Sequence, residues 1–143
     1  MQIEIEVQGI HEAISQLQKL SKKAKHLTPV HRHIGNLLLN SIEESFDNEA
    51  SPFGEKWIPS KKKSGKTLTD TGTLSRSFTV NADKEGVSVG TNLVYAAVHN
   101  FGGRAGRKKS VTLPARPFLP VRGGELEKGV KEEIMAYLVK KLR

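Results

Sequence analysis

Ile3, Ile5 and Val7 alternate with Glu4, Glu6 and Gln8, which predicts a strand with one apolar face. After Gly9 the period changes. Ile10, Ala13, Ile14, Leu17 and Leu20 follow helical spacing, and Lys19, Lys22, Lys23 and Lys25 gather at the C-terminal end, where cations suit the helix dipole. Thr28-Pro29 supplies an N-cap residue and a first-turn proline. Val30, Ile34, Leu37, Leu38, Ile42 and Phe46 then mark one face of a second helix. So short a link predicts an antiparallel helical hairpin.

From Asn48 to Ser77 the periodicity fails, and a loop of that length inside one domain is functional or ordered by a partner. Phe53 and Trp57 pin its start to the core, while Lys56, Lys61, Lys62, Lys63 and Lys66 repel one another and extend its middle. Asp70-Thr71 caps a short helical turn that carries Leu74 and Phe78 inward. Phe78, Val80 and Ala82, a turn over Asp83–Gly86, and Val87 and Val89 predict a β-hairpin.

Val94, Ala97, Val98 and Phe101 recur at the spacing of a helix face, with Asn92 as cap and Gly102-Gly103 as terminator. Tyr95 and His99, four apart, bring their rings together. Arg104 to Lys109 is a charged, Gly-rich loop with no means of burying itself, so 102–110 forms a second loop. Ser110 to Leu113 alternates as a strand until Pro114 ends it. Ala115, Arg116, Pro117, Phe118, Leu119 and Pro120 make a rigid segment that offers Phe118 and Leu119 as anchors, with Arg116 placed to pair with a carboxylate. Glu125 to Leu142 is a final helix with Leu126, Val130, Ile134, Leu138 and Leu142 in one stripe. The elements add up to an α+β fold: a small, mostly antiparallel sheet packed against two or three long helices, with long basic loops.

The chain's 143 residues make one domain, 1–143, and its net charge of +8 favours an acidic partner, nucleic acid first. With no cysteine, disulfides, a thiolate nucleophile and cysteine-based metal sites are excluded. The acidic, alternating N-terminus is unlike a secretory signal, and no apolar run is long enough to cross a bilayer.

Candidate chemistry is sparse. Ser60 to Thr67, SKKKSGKT, lacks the glycine and the leading strand of a phosphate-binding loop, so a solvated lysine loop is the stronger reading. His31 and His33 point to different sides of their helix, and no carboxylate or cysteine pattern supports a metal there; no cofactor is expected. For His99 a structural role outweighs catalysis: a ring nitrogen bonded to a nearby carbonyl at the turn into Gly102-Gly103. The basic runs, Lys61, Lys62, Lys63 and Lys66 with Arg104, Arg107, Lys108 and Lys109, are candidates for contact with phosphates or acidic protein neighbours, weighed against simple solvation.

YAAVHNFGG followed by LPARPFLP resembles the phage virion morphogenesis family, the tail-completion proteins of tailed phages and Mu-like prophages. Trp57-Ile58-Pro59 and LTDTGTLSRSF (68–78) fit the same pattern, so the resemblance runs over about 51–121. It implies a non-enzymatic structural protein that completes the tail and joins it to the head as a homo-oligomeric ring. The implied partners are the tail tube and the neck or connector proteins, with nonspecific contact to packaged double-stranded DNA. No membrane is involved. The location is the virion, and the bacterial cytoplasm during assembly. The motif residues are Trp57, Gly72, Leu74, Tyr95, His99, Phe101, Gly102, Gly103, Ala115, Arg116, Pro117 and Phe118. Two alternatives stand beside this reading: a head-side neck protein of similar fold, and a stand-alone nonspecific DNA-binding protein.

Overall fold

A helix with an apolar residue at every fourth position must lay that stripe on something. In the computed structural model, which describes residues 3–6, 26–60, 67–68 and 72–141, α1 (Thr28–Asn48) does so. Val30, Ile34, Leu38, Ile42 and Phe46 are all buried. Each such side chain stabilises the fold by about 1.5–3 kcal/mol. Thr28 is not the cap: Leu27 holds that position with no side-chain bond, and Pro29 lies in the first turn. His31 and His33 diverge as expected. The His31 ring is buried, its Nδ1 2.7 Å from the Asp83 carbonyl, while the exposed His33 stacks on Tyr137. The expected helix over 10–20 lies outside the described residues.

The sheet has three strands in the order β1 (Ile3–Glu6), β3 (Val87–Thr91), β2 (Thr79–Ala82), all antiparallel. The predicted β2–β3 hairpin is present. Its turn is closed by Asp83, whose Oδ1 accepts the N–H groups of Glu85 and Gly86 at 2.8 and 2.9 Å. Gly35 is where α1 meets this hairpin. A Cβ there would lie 2.3 Å from Val80 Cγ1 and 2.8 Å from Val87 Cγ2, so any larger residue would drive helix and sheet apart.

C-terminal to the sheet come α2 (Ala96–Phe101), then β4 (Gly103–Ala105) paired antiparallel with β5 (Val111–Leu113). A second small hairpin joins β6 (Val121–Arg122) to β7 (Glu125–Leu126) across Gly123-Gly124, both at positive φ. The final helix, α3 (Lys128–Lys141), therefore starts later than its apolar stripe suggests. Glu127 ends the strand region and caps the helix: its carboxylate accepts the N–H groups of Gly129 and Val130, both at 2.9 Å. Val130, Ile134 and Leu138 are buried, Leu126 packs at the core's edge, and α3 packs on α1. The result is the expected α+β class, an antiparallel sheet and helices sharing one core.

Candidate assembly surface

Proline at 114, 117 and 120 stiffens the segment after β5, and the fold fastens it from two sides. On one side is α2. Arg116 N–H donates to the His99 carbonyl at 2.8 Å, and Asn100 Oδ1 accepts the N–H groups of Phe118 and Leu119 at 2.9 and 3.1 Å. On the other side is the segment after α1. Trp57 Nε1–H donates to the Pro117 carbonyl at 2.7 Å, and Arg116 Nε donates to the Ile58 carbonyl at 2.7 Å. A second Arg116 nitrogen, Nη2, reaches the Pro59 carbonyl at 3.3 Å. Arg116 thus holds main-chain carbonyls where a carboxylate partner was expected, because Ile58 and Pro59 present two successive carbonyls to its fork.

Between these fastenings the Phe118 ring enters an aromatic cluster. It stacks on Phe46 at 5.2 Å and meets Phe78 edge-on at 5.3 Å, while Trp57 meets Phe46 edge-on at 5.4 Å. Trp57, Leu74, Phe118 and Leu119 are therefore anchors of the fold. Phe53 is not: it lies half-buried under the Arg122 guanidinium, which also pairs with Glu55 and holds that carboxyl below its ordinary range.

The short helix α2 faces the opposite way from its apolar pattern. Its buried positions are Ala96 and the polar Asn100. Val94 is 70 % and Phe101 68 % exposed, with Tyr95 exposed beside them and Ala97 and Val98 only partly covered. Asn92 caps nothing here, since Tyr95 is the N-cap residue and makes no side-chain cap bond. The Tyr95 and His99 rings do meet, edge-on at 5.9 Å. The His99 ring does not make the expected bond to a carbonyl. Its Nδ1 is buried without a hydrogen-bond partner among the described residues, and it is the backbone carbonyl that ties the turn. Burial, and then the nearby Arg116 cation, push the His99 pKa down.

Gly102 is required where it stands. Its φ is 75°, and a Cβ would come within 2.8 Å of the Ala115 nitrogen, so the strand β4 and the proline segment could not run so close. Gly103 opens β4, at φ 140°. Gly72, at φ 71°, opens the turn that sends Leu74 inward. The expected loop over 102–110 is a hairpin: Arg104 sits in β4, and Arg107, Lys108 and Lys109 form one 3₁₀ turn at its tip, all four exposed. The run GRAGRKKS has no apolar alternation, so nothing in it announces a strand. Lys61, Lys62, Lys63 and Lys66 lie outside the described residues. The bases of that segment are tied by Ser60 N–H to Thr67 Oγ1 at 3.3 Å and by Thr67 N–H to Glu49 Oε1 at 2.7 Å.

Residues 5–143 match the phage virion morphogenesis family. The chain belongs to that family. It is 36 % identical over 135 residues to the Mu-like prophage FluMu G protein 2 of Haemophilus influenzae, covering 94 % of this chain and 95 % of that one. It is 26 % identical over 141 residues to protein G of Escherichia phage Mu, provisionally named for capsid assembly, covering 89 % and 88 %. No solved structure matches.

As a virion morphogenesis protein the chain has a structural role in phage assembly. The motif residues divide accordingly. Trp57, Leu74, Arg116 and Phe118 build the interior, Pro117 is half-buried between the last two, and Tyr95, Phe101, Gly103 and Ala115 lie at the surface. Among the described residues, no helix is long and apolar enough to cross a membrane. Two contributors left no readable mark in the sequence: Asn100, whose burial depends on the inverted helix, and Arg122, which closes on Phe53 and Glu55.

Proposed function

We propose that this protein completes the phage tail and joins it to the head as a homo-oligomeric ring at the tail end. The observation that carries the reading is the outward face of α2. Val94, in the turn that leads into α2, and Phe101, its last residue, are large apolar side chains left 70 % and 68 % exposed, while the Asn100 side-chain oxygen fixes the helix by accepting the buried N–H groups of Phe118 and Leu119. Exposed apolar groups on a rigid support mark an interaction site. In a ring they repeat with the symmetry, so modest contact per subunit adds up. The partners are then copies of the chain, the tail tube and the neck proteins. Lys61, Lys62, Lys63 and Lys66 of each copy supply a positive collar that holds packaged DNA without reading its sequence.

Val94→Ser with Phe101→Ser tests this reading. The double variant is expected to fold normally and to yield, by electron microscopy, filled heads beside finished but unattached tails. Infectious particles at wild-type titre would sink the proposal. A second reading is favoured by the name of the phage Mu relative, which points to the capsid: a head-side neck protein. It predicts defective heads from the same variant.

A further inference from the structure

From Gly86 to Gly124 the sequence has no aspartate or glutamate, and its cations are Arg104, Arg107, Lys108, Lys109, Arg116 and Arg122. The last two have work inside the fold: Arg116 holds the Ile58 and Pro59 carbonyls, and Arg122 pairs with Glu55 and covers the Phe53 ring. The other four are exposed on the β4–β5 hairpin, and none forms an ion pair with a described residue. The hairpin has two faces. Its register sets Gly103 opposite Leu113 and Ala105 opposite Val111 on one of them, and a Cβ at Gly103 would lie 3.6 Å from Val98, so that face is turned to α2. Arg104 and Thr112 are paired on the other face, both exposed. Arg107, Lys108 and Lys109 cross the tip. Lys109 N–H donates to the Gly106 carbonyl at 3.1 Å and Ser110 Oγ–H to the Arg107 carbonyl at 2.9 Å, which closes the turn. Lys108 and Lys109 hold φ 58° and 53°, left-handed backbone that glycine would adopt at less cost. Like charges are thus held close together by a fixed, strained turn that buries nothing.

Such a tip calls for a counter-charge, and its composition selects which kind. Contacts between proteins draw their affinity from buried apolar and aromatic anchors and are depleted in lysine. Single-stranded nucleic acid needs exposed rings on which its bases stack. The run from Gly103 to Ser110 has neither a large apolar side chain nor an aromatic ring. It offers closely spaced cations, with the Thr112 hydroxyl beside Arg104, and that is the donor set phosphates take. A two-stranded ribbon, its strands about 4.8 Å apart, also fits a duplex groove about 12 Å wide. We infer that the β4–β5 hairpin grips the phosphate backbone of double-stranded DNA without reading its sequence, while α2 beside it takes the protein partner. The inference rests on the reading above, in which packaged DNA passes the ring, and it gives each copy a DNA contact separate from Lys61, Lys62, Lys63 and Lys66.

Fluorescence anisotropy of a short labelled duplex, titrated with the full chain at several salt concentrations, tests this. Four phosphate contacts amount to a slope of about −3.6 in log affinity against log salt, or roughly a 100-fold loss of affinity between about 50 and 200 mM. The variant Arg104→Gln, Arg107→Gln, Lys108→Gln, Lys109→Gln is expected to bind more weakly, with a slope shallower than wild type by about 3–4. Lys108→Gly with Lys109→Gly suits the left-handed backbone, so it keeps the fold, and its slope is shallower by about 2. Thermal melts check both variants, and two duplexes of unrelated sequence bind the wild type equally. A wild-type chain with no affinity for the duplex at low salt overturns the inference. So does a wild-type slope in either variant, which moves the DNA contact elsewhere, or tighter binding of the single strand. A four-Gln variant that binds DNA normally yet leaves tails unattached shows the hairpin meeting an acidic protein surface, and overturns it as well. If Val94→Ser with Phe101→Ser gives infectious particles while the four-Gln variant loses duplex affinity, the ring reading falls and the DNA contact stands.

Discussion

Replacing Asn100 by Leu isolates the fastening that holds α2 and the proline segment together. Its Oδ1 accepts two N–H groups, from Phe118 and Leu119, in a place where the side chain is 4 % exposed and water has no entry. Leucine keeps the volume and removes the acceptor. Each orphaned buried donor costs about 1–3 kcal/mol, and the added apolar surface returns part of that, so a net loss of roughly 2–4 kcal/mol follows. Against a total stability of about 5–15 kcal/mol this is a large fraction. At roughly 2–4 °C per kcal/mol for a chain of this size, the melting temperature falls by about 5–15 °C. Asn100→Asp retains an acceptor for both donors and falls between wild type and Asn100→Leu. The chain's single tryptophan makes the assay local as well as global: Trp57 is bonded to the segment Asn100 holds, so its fluorescence reports that segment while circular dichroism reports the helices. An Asn100→Leu protein melting within 2 °C of wild type by both probes would refute the reasoning.

Two other perturbations test different parts of the fold. At an open helix position Gly→Ala gains about 1 kcal/mol, but the Gly35 Cβ would meet Val80 Cγ1 at 2.3 Å; Gly35→Ala should therefore lose about 1–2 kcal/mol net, and a higher denaturation midpoint would contradict the packing. The folded-state pKa of His99 lies below its ordinary 6.5, so the unfolded chain takes up the proton first. The stability His99 contributes is complete above 6.5 and is lost as pH falls from there through the folded pKa; His99→Gln should flatten that part of the stability–pH curve, and an unchanged slope would rule His99 out as its cause.

Much of the architecture is legible in the chain. The four-residue spacing from Val30 to Phe46 announces α1, and the alternation from Phe78 to Val89 announces the β2–β3 hairpin, because both elements bury a face wide enough to leave a pattern. The interior roles of Trp57 and Phe118 were equally readable from their lack of competing chemistry. The direction of α2 was not. Spacing tells which residues share a face and says nothing about whether that face meets the core or a neighbour; Val94 and Phe101 obey the same periodicity either way. Only the buried amide of Asn100 opposite them decides it, and a lone polar residue in a short helix carries no such signal alone. The β6–β7 hairpin had a cue in Gly123-Gly124, overridden by the stronger helical stripe running from Leu126.

The Trp57–Pro117 bond spans 60 residues, and Arg116 reaches back 58 to Ile58. A ribosome adding about 5–20 residues per second needs roughly 3–12 s between those two points. Throughout that interval the nascent chain carries its indole, and the Phe46 and Phe78 rings, without the one ring that completes their cluster. Maturation is thereby tied to translation reaching Phe118, and a product that stops short of it leaves the Trp57, Phe46 and Phe78 rings without their partner.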